Sequence, residues 1–236
     1  MKIYIINSQI DIKAKELLNK YGTVAEVAAH PTLPEQEKCH ADMQFARLDN
    51  HTLICAPGIS VNNASEKLAV IPGSINLKEK YPYNISYNIL RCGDLLIHNT
   101  KHTAPEILSE AHKRQIKILH VNQGYAGCSS ISIPLADKST LLLSSDKGII
   151  SAIKKSNTKN IITEYFEDTD NIILPGYNHG FIGGCCGYDN QLGLIVYGKT
   201  NRQLNELSER YNFPIFPIFD GPLTDIGGIL VMYPLQ

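Results

Sequence analysis

The 236-residue chain carries 22 Lys and Arg against 23 Asp and Glu, a formal net charge of −1, with 43% hydrophobic and 19% charged residues. That balance supplies a sizeable core and no basic run to neutralise phosphates, so nucleic acid is not an expected partner. The apolar start before Asn7 and Ser8 is too short for a signal-peptide core, and no stretch approaches the roughly eighteen apolar residues of a membrane span. A soluble, cytoplasmic protein without membrane contact is expected, and its six cysteines, with no C-x-x-C pair, are expected as reduced thiols rather than disulfides or a zinc or redox site.

Along the chain, Ile3-Tyr4-Ile5 reads as a short buried strand, Asn7-Ser8 as a loop, Ala14, Leu17 and Leu18 as the apolar face of a helix, and residues 23–27 as a further strand. The pattern recurs. Residues 44–48, a turn at Asp49-Asn50 and Leu53-Ile54-Cys55 make a hairpin, followed by a helical pattern and a strand at 67–71. Residues 87–91, a turn at Gly93-Asp94 and Leu95-Leu96-Ile97 make the next; Thr103 and Glu106 then stand at capping-box spacing, and a strand follows at 117–121. Leu141-Leu142-Leu143 leads through Ser145–Gly148 into an apolar helix start at 149–153 and a strand at 160–163. Leu194-Ile195-Val196 leads through Gly198–Asn201 into a helix with Leu204 and Leu207 and a strand at 213–216. The last strand, 228–233, is expected to pair with the first.

The middle strands start at 3, 53, 95, 141 and 194, intervals of 42 to 53 residues, with 45 on wrapping from 194 through 236 back to 3. Repeats of this size mean a solenoid or a closed array, and intervals that close on themselves favour a ring. The expected fold class is therefore α/β: one domain over 1–236, a pseudo-fivefold propeller of five ββαβ modules, the fifth, when counted from the strand at 44–48, closed by the N- and C-terminal segments. The competing reading is an α/β sandwich with coincidental spacing.

In such a ring the segments leading into the first strands converge on the axis, and they are rich in special residues: His40-Ala41-Asp42-Met43, Tyr81-Pro82-Tyr83-Asn84, Gly124 to Ser129, His179 to Cys186, and Asp220 to Gly228. Paired glycines mark bulges or close backbone approach. A small-molecule funnel on the axis is the expected site.

The five-module plan, the paired glycines and the stretch from Asp220 to Gly228 resemble the pentein fold of guanidino-group-modifying enzymes. More narrowly, His30 to Pro34, His40 to Met43, Gln123 to Ser129, Ser145 to Ile149, Leu174 to Tyr177 with Gly180 to Gly184, and the Asp220 segment resemble an uncharacterised bacterial, clostridial-type family assigned to that fold. The resemblance implies a cysteine nucleophile on the last glycine-rich strand, a histidine from an earlier module, and acidic residues gripping a guanidinium. Val231 stands where that cysteine is expected, and valine cannot form a covalent intermediate.

Cys128, between Gly127 and Ser129, is the best remaining nucleophile; the bland reading is a buried small hydrophobe. His179 and His40 are the candidate bases, against a loop histidine bonded to a backbone carbonyl. Asp42, Asn84 and Asp225 are assigned to the ligand, the two acids as cation grips, against a turn-capping role. His40 and Asp42 are taken as neighbours on one side of an extended segment. His98 and His102 are taken as surface residues, and at most one of Cys185 and Cys186 as facing the funnel. No cofactor is expected. The functional expectation is a hydrolase acting on a C–N bond of a small guanidino or amide compound. The alternatives are a non-catalytic binding protein on the same fold, as in a ribosome-associated factor, and metal-assisted hydrolysis through His30, His40 and Asp42.

Overall fold

The structure, a computed structural model, describes residues 2–60 and 68–234. The first module begins with β1 (Ile3–Asn7), α1 (Ile12–Asn19) and β2 (Thr23–Val27). The second holds α2 (Ala41–Gln44), β3 (Phe45–Arg47), β4 (Thr52–Cys55) and β5 (Ala69–Pro72). The third holds β6 (Leu90–Cys92), β7 (Leu95–His98), α3 (Pro105–Lys113) and β8 (Lys117–His120). The fourth holds α4 (Ala126–Ser129), β9 (Ser130–Pro134), β10 (Thr140–Ser144), α5 (Lys147–Lys155) and β11 (Ile161–Tyr165). The fifth holds β12 (Cys186–Asp189), β13 (Gly193–Val196), α6 (Arg202–Tyr211) and β14 (Ile215–Pro217), and the chain then returns to the first module as β15 (Leu230–Met232). The helical pattern expected between β4 and β5 falls largely on residues outside those described, as does Lys67.

Each module is a three-stranded sheet in which the middle strand pairs antiparallel with the first strand and parallel with the third. The chain ends share one sheet: Ile3 lies opposite Met232 and Ile5 opposite Leu230, antiparallel, as expected from the sequence. Side chains alternate across a strand, so each middle strand presents two faces. Both are buried here. Ile3 and Ile5 enter one apolar cluster with Phe45, Leu53 and Cys55, while Tyr4 and Ile6 enter another with Ile195, Ile229 and Val231. Ile54 and Leu96 share a third cluster, Leu95, Ile97 and Leu142 a fourth, and Leu141, Leu143, Leu194 and Val196 a fifth. Every cluster thus joins two successive modules, the fifth to the first included. Two-faced burial is why these strands read as unbroken apolar runs rather than alternation.

Three module helices start on side-chain caps. Asp11, Asp146 and Asn201 accept from the backbone N–H groups of Lys13, Ile149 and Leu204. The expected capping box at Thr103 and Glu106 does not form. Pro105 takes the first helical position, which its fixed φ suits, so Ala104 becomes the N-cap. The Thr103 hydroxyl turns instead to Asn99 O and His98 Nδ1. His98 is correspondingly not a surface residue: it is fully buried, and its Nε2 donates to Gly124 O at 2.9 Å. His102 is half-buried.

Among the described residues no helix is long and apolar enough to cross a membrane. A narrow cavity of about 80 Å³ is lined by residues of the first strands of all five modules, among them Phe45, Leu90, Ser130, Cys186 and Val231.

The double burial makes a direct prediction. Leu142→Ala, in the centre of β10, should lose about 2–5 kcal/mol of unfolding free energy in a denaturant titration. Ile12→Ala, at a side chain 63% exposed on α1, should change it by less than about 0.5 kcal/mol. Equal effects would mean that β10 is not packed on both sides.

Candidate active site

The segments leading into the first strands are where the modules meet, and three of them are single helical turns rather than extended chain. α2 carries Asp42, α4 carries Cys128, and a 3-10 turn at Gly183–Cys185 precedes β12. The expected extended pairing of His40 with Asp42 is therefore replaced. His40 is the N-cap of α2 and Asp42 lies within its turn, so the two side chains diverge, His40 into a large cavity and Asp42 toward the narrow one.

Asn88 fastens three modules together. Its Oδ1 accepts from the backbone N–H groups of Gly127 and Cys128, at 2.8 and 3.1 Å; its Nδ2 donates to Asp42 O and lies 2.9 Å from Cys128 Sγ. The Cys128 thiol in turn donates to Asp42 Oδ2 at 2.9 Å. The last segment closes on α2: Asp42 N donates to Gly227 O, and Gly227 and Gly228 have φ of +78° and +72°. A Cβ on Gly227 would lie 2.2 Å from His40 Cβ, so the close approach requires glycine there.

Asp225 is placed the same way. Its Oδ2 accepts from Phe181 N and its Oδ1 from Gly227 N, while Gly184 leaves room where a Cβ would meet Oδ1 at 1.9 Å. This is the turn-holding role weighed for Asp225. The carboxylate also faces the cavity, with His40 Nδ1 3.9 Å from Oδ1. That pair is not an ion pair near neutrality, because burial lowers His40 to about 4 and keeps it uncharged.

The larger cavity, about 310 Å³, is lined by Glu37, His40, Tyr125, Cys128, His179 and Phe181, together with Tyr177 and Asp225. Four of the six sequence-derived candidates, Cys128, His40, His179 and Asp225, thus share one space. Asp42 reaches it through the Cys128 thiol. Asn84 reaches it through Tyr125, whose hydroxyl accepts from Asn84 Nδ2 at 2.9 Å. Its position differs from expectation: these side chains gather in a cavity beside the narrow central one, which is too small for an organic ligand.

The electrostatics are lopsided. Glu37, Asp42 and Asp225 are all buried, and among the described residues none of them pairs with a lysine or arginine. Burial, with the Asp225 charge second, raises Asp42 to about 7; burial raises Asp225 to about 6. Burial first, then the charges of Asp42 and Asp225, push the Cys128 thiol well above its ordinary value. Among the described residues five side-chain oxygens are buried without a hydrogen-bond partner; three of them, Glu37 Oε2, Asp42 Oδ1 and Asn84 Oδ1, belong to the cavity wall or to residues that touch it, and the other two are on Gln44 and Glu106. Each such atom carries an uncompensated desolvation cost of about 1–3 kcal/mol or more.

Not every expectation converges on this site. Cys128 is hydrogen-bonded to no histidine among the described residues; its partners are the Asp42 carboxylate and the Asn88 amide. His179 is half-buried, with Nδ1 3.0 Å from Gly180 O and its ring edge-on to Phe181. All six cysteines are free and buried; Cys185 Sγ donates to Phe181 O, and Cys186 borders the narrow cavity. His30 bonds locally to Thr32, and no group of three His, Cys, Asp or Glu among the described residues could hold a metal ion. Val231 is buried in β15 beside the narrow cavity. The sequence reading missed Glu37, Asn88 and Tyr125. Tyr125 lies inside the segment from Gly124 to Ser129, and Asn88 inside the strand predicted at 87–91. Glu37, in the polar stretch Glu35-Gln36-Glu37-Lys38, looks like an ordinary solvated charge.

Residues 5–230 match a family described as a family of unknown function (DUF6873), and the chain belongs to it. No curated protein matches the chain.

The raised Asp42 sets a pH-dependent stability with a definite sign. A carboxyl held near 7 in the fold and near 3.8 when unfolded keeps its proton longer in the native state, so its contribution to stability falls as pH rises from about 4 to about 7. His40 and His98, both lowered to about 4, act with the opposite sign and flatten the parent profile. The informative quantity is therefore a difference. The stability of Asp42→Asn minus that of the parent should rise across pH 4 to 7, by up to about 4 kcal/mol, and level off above. Denaturant titrations at four or five pH values measure it; a flat or falling difference would refute the assignment.

Proposed function

We propose that the chain is a closed five-module ring of the pentein type whose 310 Å³ cavity binds a small organic cation carrying a guanidino or amine group. Apolar clusters that join each module to the next, the fifth to the first included, support the ring, as does the narrow cavity bordered by all five first strands. The observation that carries the ligand class is the buried, unpartnered Glu37 Oε2 beside the Asp225 carboxyl group in the cavity wall, with no lysine or arginine there and the Asp42 carboxyl one contact behind, through Cys128. A ligand with several N–H donors and a positive charge satisfies Glu37 and Asp225 together. The rings of Tyr125, Tyr177 and Phe181 favour an organic cation over a hydrated inorganic one, through ring-face electrostatics and apolar contact.

A second reading, hydrolysis of a C–N bond in that ligand, rests on the Cys128–Asp42 contact at 2.9 Å. Without a ligand, the neighbouring carboxylates hold the thiol protonated. A bound cation offsets them, lowering the thiol and letting Asp42 take its proton. The thiolate then attacks the electron-poor carbon, the leaving amine departs with a proton, and water cleaves the thioether-linked intermediate, restoring the thiol. Asp42 fills the role expected of a histidine; Val231 takes no part. If no chemistry follows, the same site acts as a receptor.

The test is thermal shift at pH 8 with methylguanidine, agmatine and L-arginine, with urea as the uncharged control. At least one cation should raise the melting temperature while urea does not, and the response should vanish in Asp42→Asn but persist in Cys128→Ala. Ammonia or amine release that is lost in Cys128→Ala separates enzyme from receptor. No response to any cation, or an equal response to urea, would defeat the ligand class.

A further inference from the structure

At the other end of the first strands the charge changes sign. Asp42 precedes β3 and Arg47 ends it; on the neighbouring module Arg91 sits in the middle of β6. Both arginines border the narrow cavity, and both also line a wider one of about 470 Å³ at the hairpin-turn end, with Asp49, Ser132, Tyr188 and Tyr233.

Their donors are underused. Arg47 Nη1 donates to Val231 O at 3.2 Å, and Arg91 Nη2 donates to Gly93 O at 3.2 Å. Arg91 Nη1 is buried with no partner at all. Neither guanidinium forms a salt bridge among the described residues. Asp49, the one carboxylate among the described residues of the cavity wall, is already engaged: Oδ1 accepts from the backbone N–H groups of His51 and Thr52, and Oδ2 pairs with Arg114. Burial, then the Arg47 charge, lowers Arg91 from its ordinary value, so the two cations disfavour each other. The Asp49 charge acts on both guanidiniums and that of Asp94 on Arg91, but neither carboxylate pairs with them directly. Two partly buried guanidiniums without a direct ion pair, one with a vacant donor, call for an anion whose oxygens accept several N–H bonds.

We propose that Arg47 and Arg91 hold a small oxyanion, a phosphate or carboxylate group, in the 470 Å³ cavity at the turn end of the first strands. The site is independent of the acidic cavity and stands whether or not that cavity binds a cation.

The experiment is thermal shift and 31P line broadening of the full chain with inorganic phosphate, against sodium chloride at equal ionic strength. Sulfate and acetate arms distinguish a tetrahedral from a carboxylate ligand. Phosphate, acetate or both should raise the melting temperature by roughly 3–6 °C at tenfold Kd, and chloride should not. R91Q should abolish the response. It should also melt no lower than the parent without anion, because it removes a repelling charge whose buried donor has no partner. R91K keeps the charge but loses the planar fork, so it should weaken the response several-fold; it serves as the comparison if R91Q folds poorly. An anion response that survives in R91Q and R91K, or one matched by chloride, would overturn the proposal, as would no response to any oxyanion.

Discussion

The burial of all five middle strands on both faces is the constraint from which the rest of the structure follows. A strand so placed has no solvent side, so it must sit between two cores and belong to both. Tyr4 and Ile6 face one neighbour while Ile3 and Ile5 face the other; Leu142 and the pair Leu141 and Leu143 divide in the same way. The modules cannot be independent units under that constraint. The terminal strands satisfy it together, β15 supplying the first strand that β1 would otherwise lack.

The same arrangement brings the polar chemistry to one place. With the middle strands fully committed to packing, freedom remains in the segments that lead into the first strands, and these meet where Asn88 joins Asp42 to Gly127 and Cys128. Glycine at 184 and 227 lets the chain close on Asp225 and His40. The result is a pocket in which carboxyl groups are desolvated without a cationic neighbour, an arrangement that destabilises the ligand-free fold and persists only because the surrounding cores hold it. At the far end of the same strands two arginines are left similarly unmatched, so the narrow cavity runs between poles of opposite charge.

Much of the architecture was legible in the sequence because it depends on periodicity. Runs such as Leu141-Leu142-Leu143 and their polar sequels give strand positions within a residue or two, and the spacing of these runs gives the module count. Local geometry was less legible. The capping box at Thr103 lost to Pro105, one residue further on, and His98 was drawn inward by a carbonyl 26 residues away. Within the site, the special residues of the lead-in segments pointed to Cys128, His40, His179 and Asp225. Which of them touch was not written in spacing: Asp42 meets Cys128 across 86 residues, and the bond that makes the pair depends on two separate helical turns, α2 and α4, and one asparagine. Glu37 was invisible because a buried acid and a solvated one look alike in sequence.

The central claim is that the buried carboxyl groups of Asp42 and Asp225 await a cation. The most direct measurement is calorimetric titration of agmatine at pH 6.5 in two buffers of different ionisation enthalpy. With carboxyl groups titrating at about 7 and about 6, a cation that binds their ionised forms must expel protons. The account predicts net proton release, diminishing toward pH 8.5 as affinity rises. Binding without proton release at pH 6.5, or with proton uptake, would contradict it.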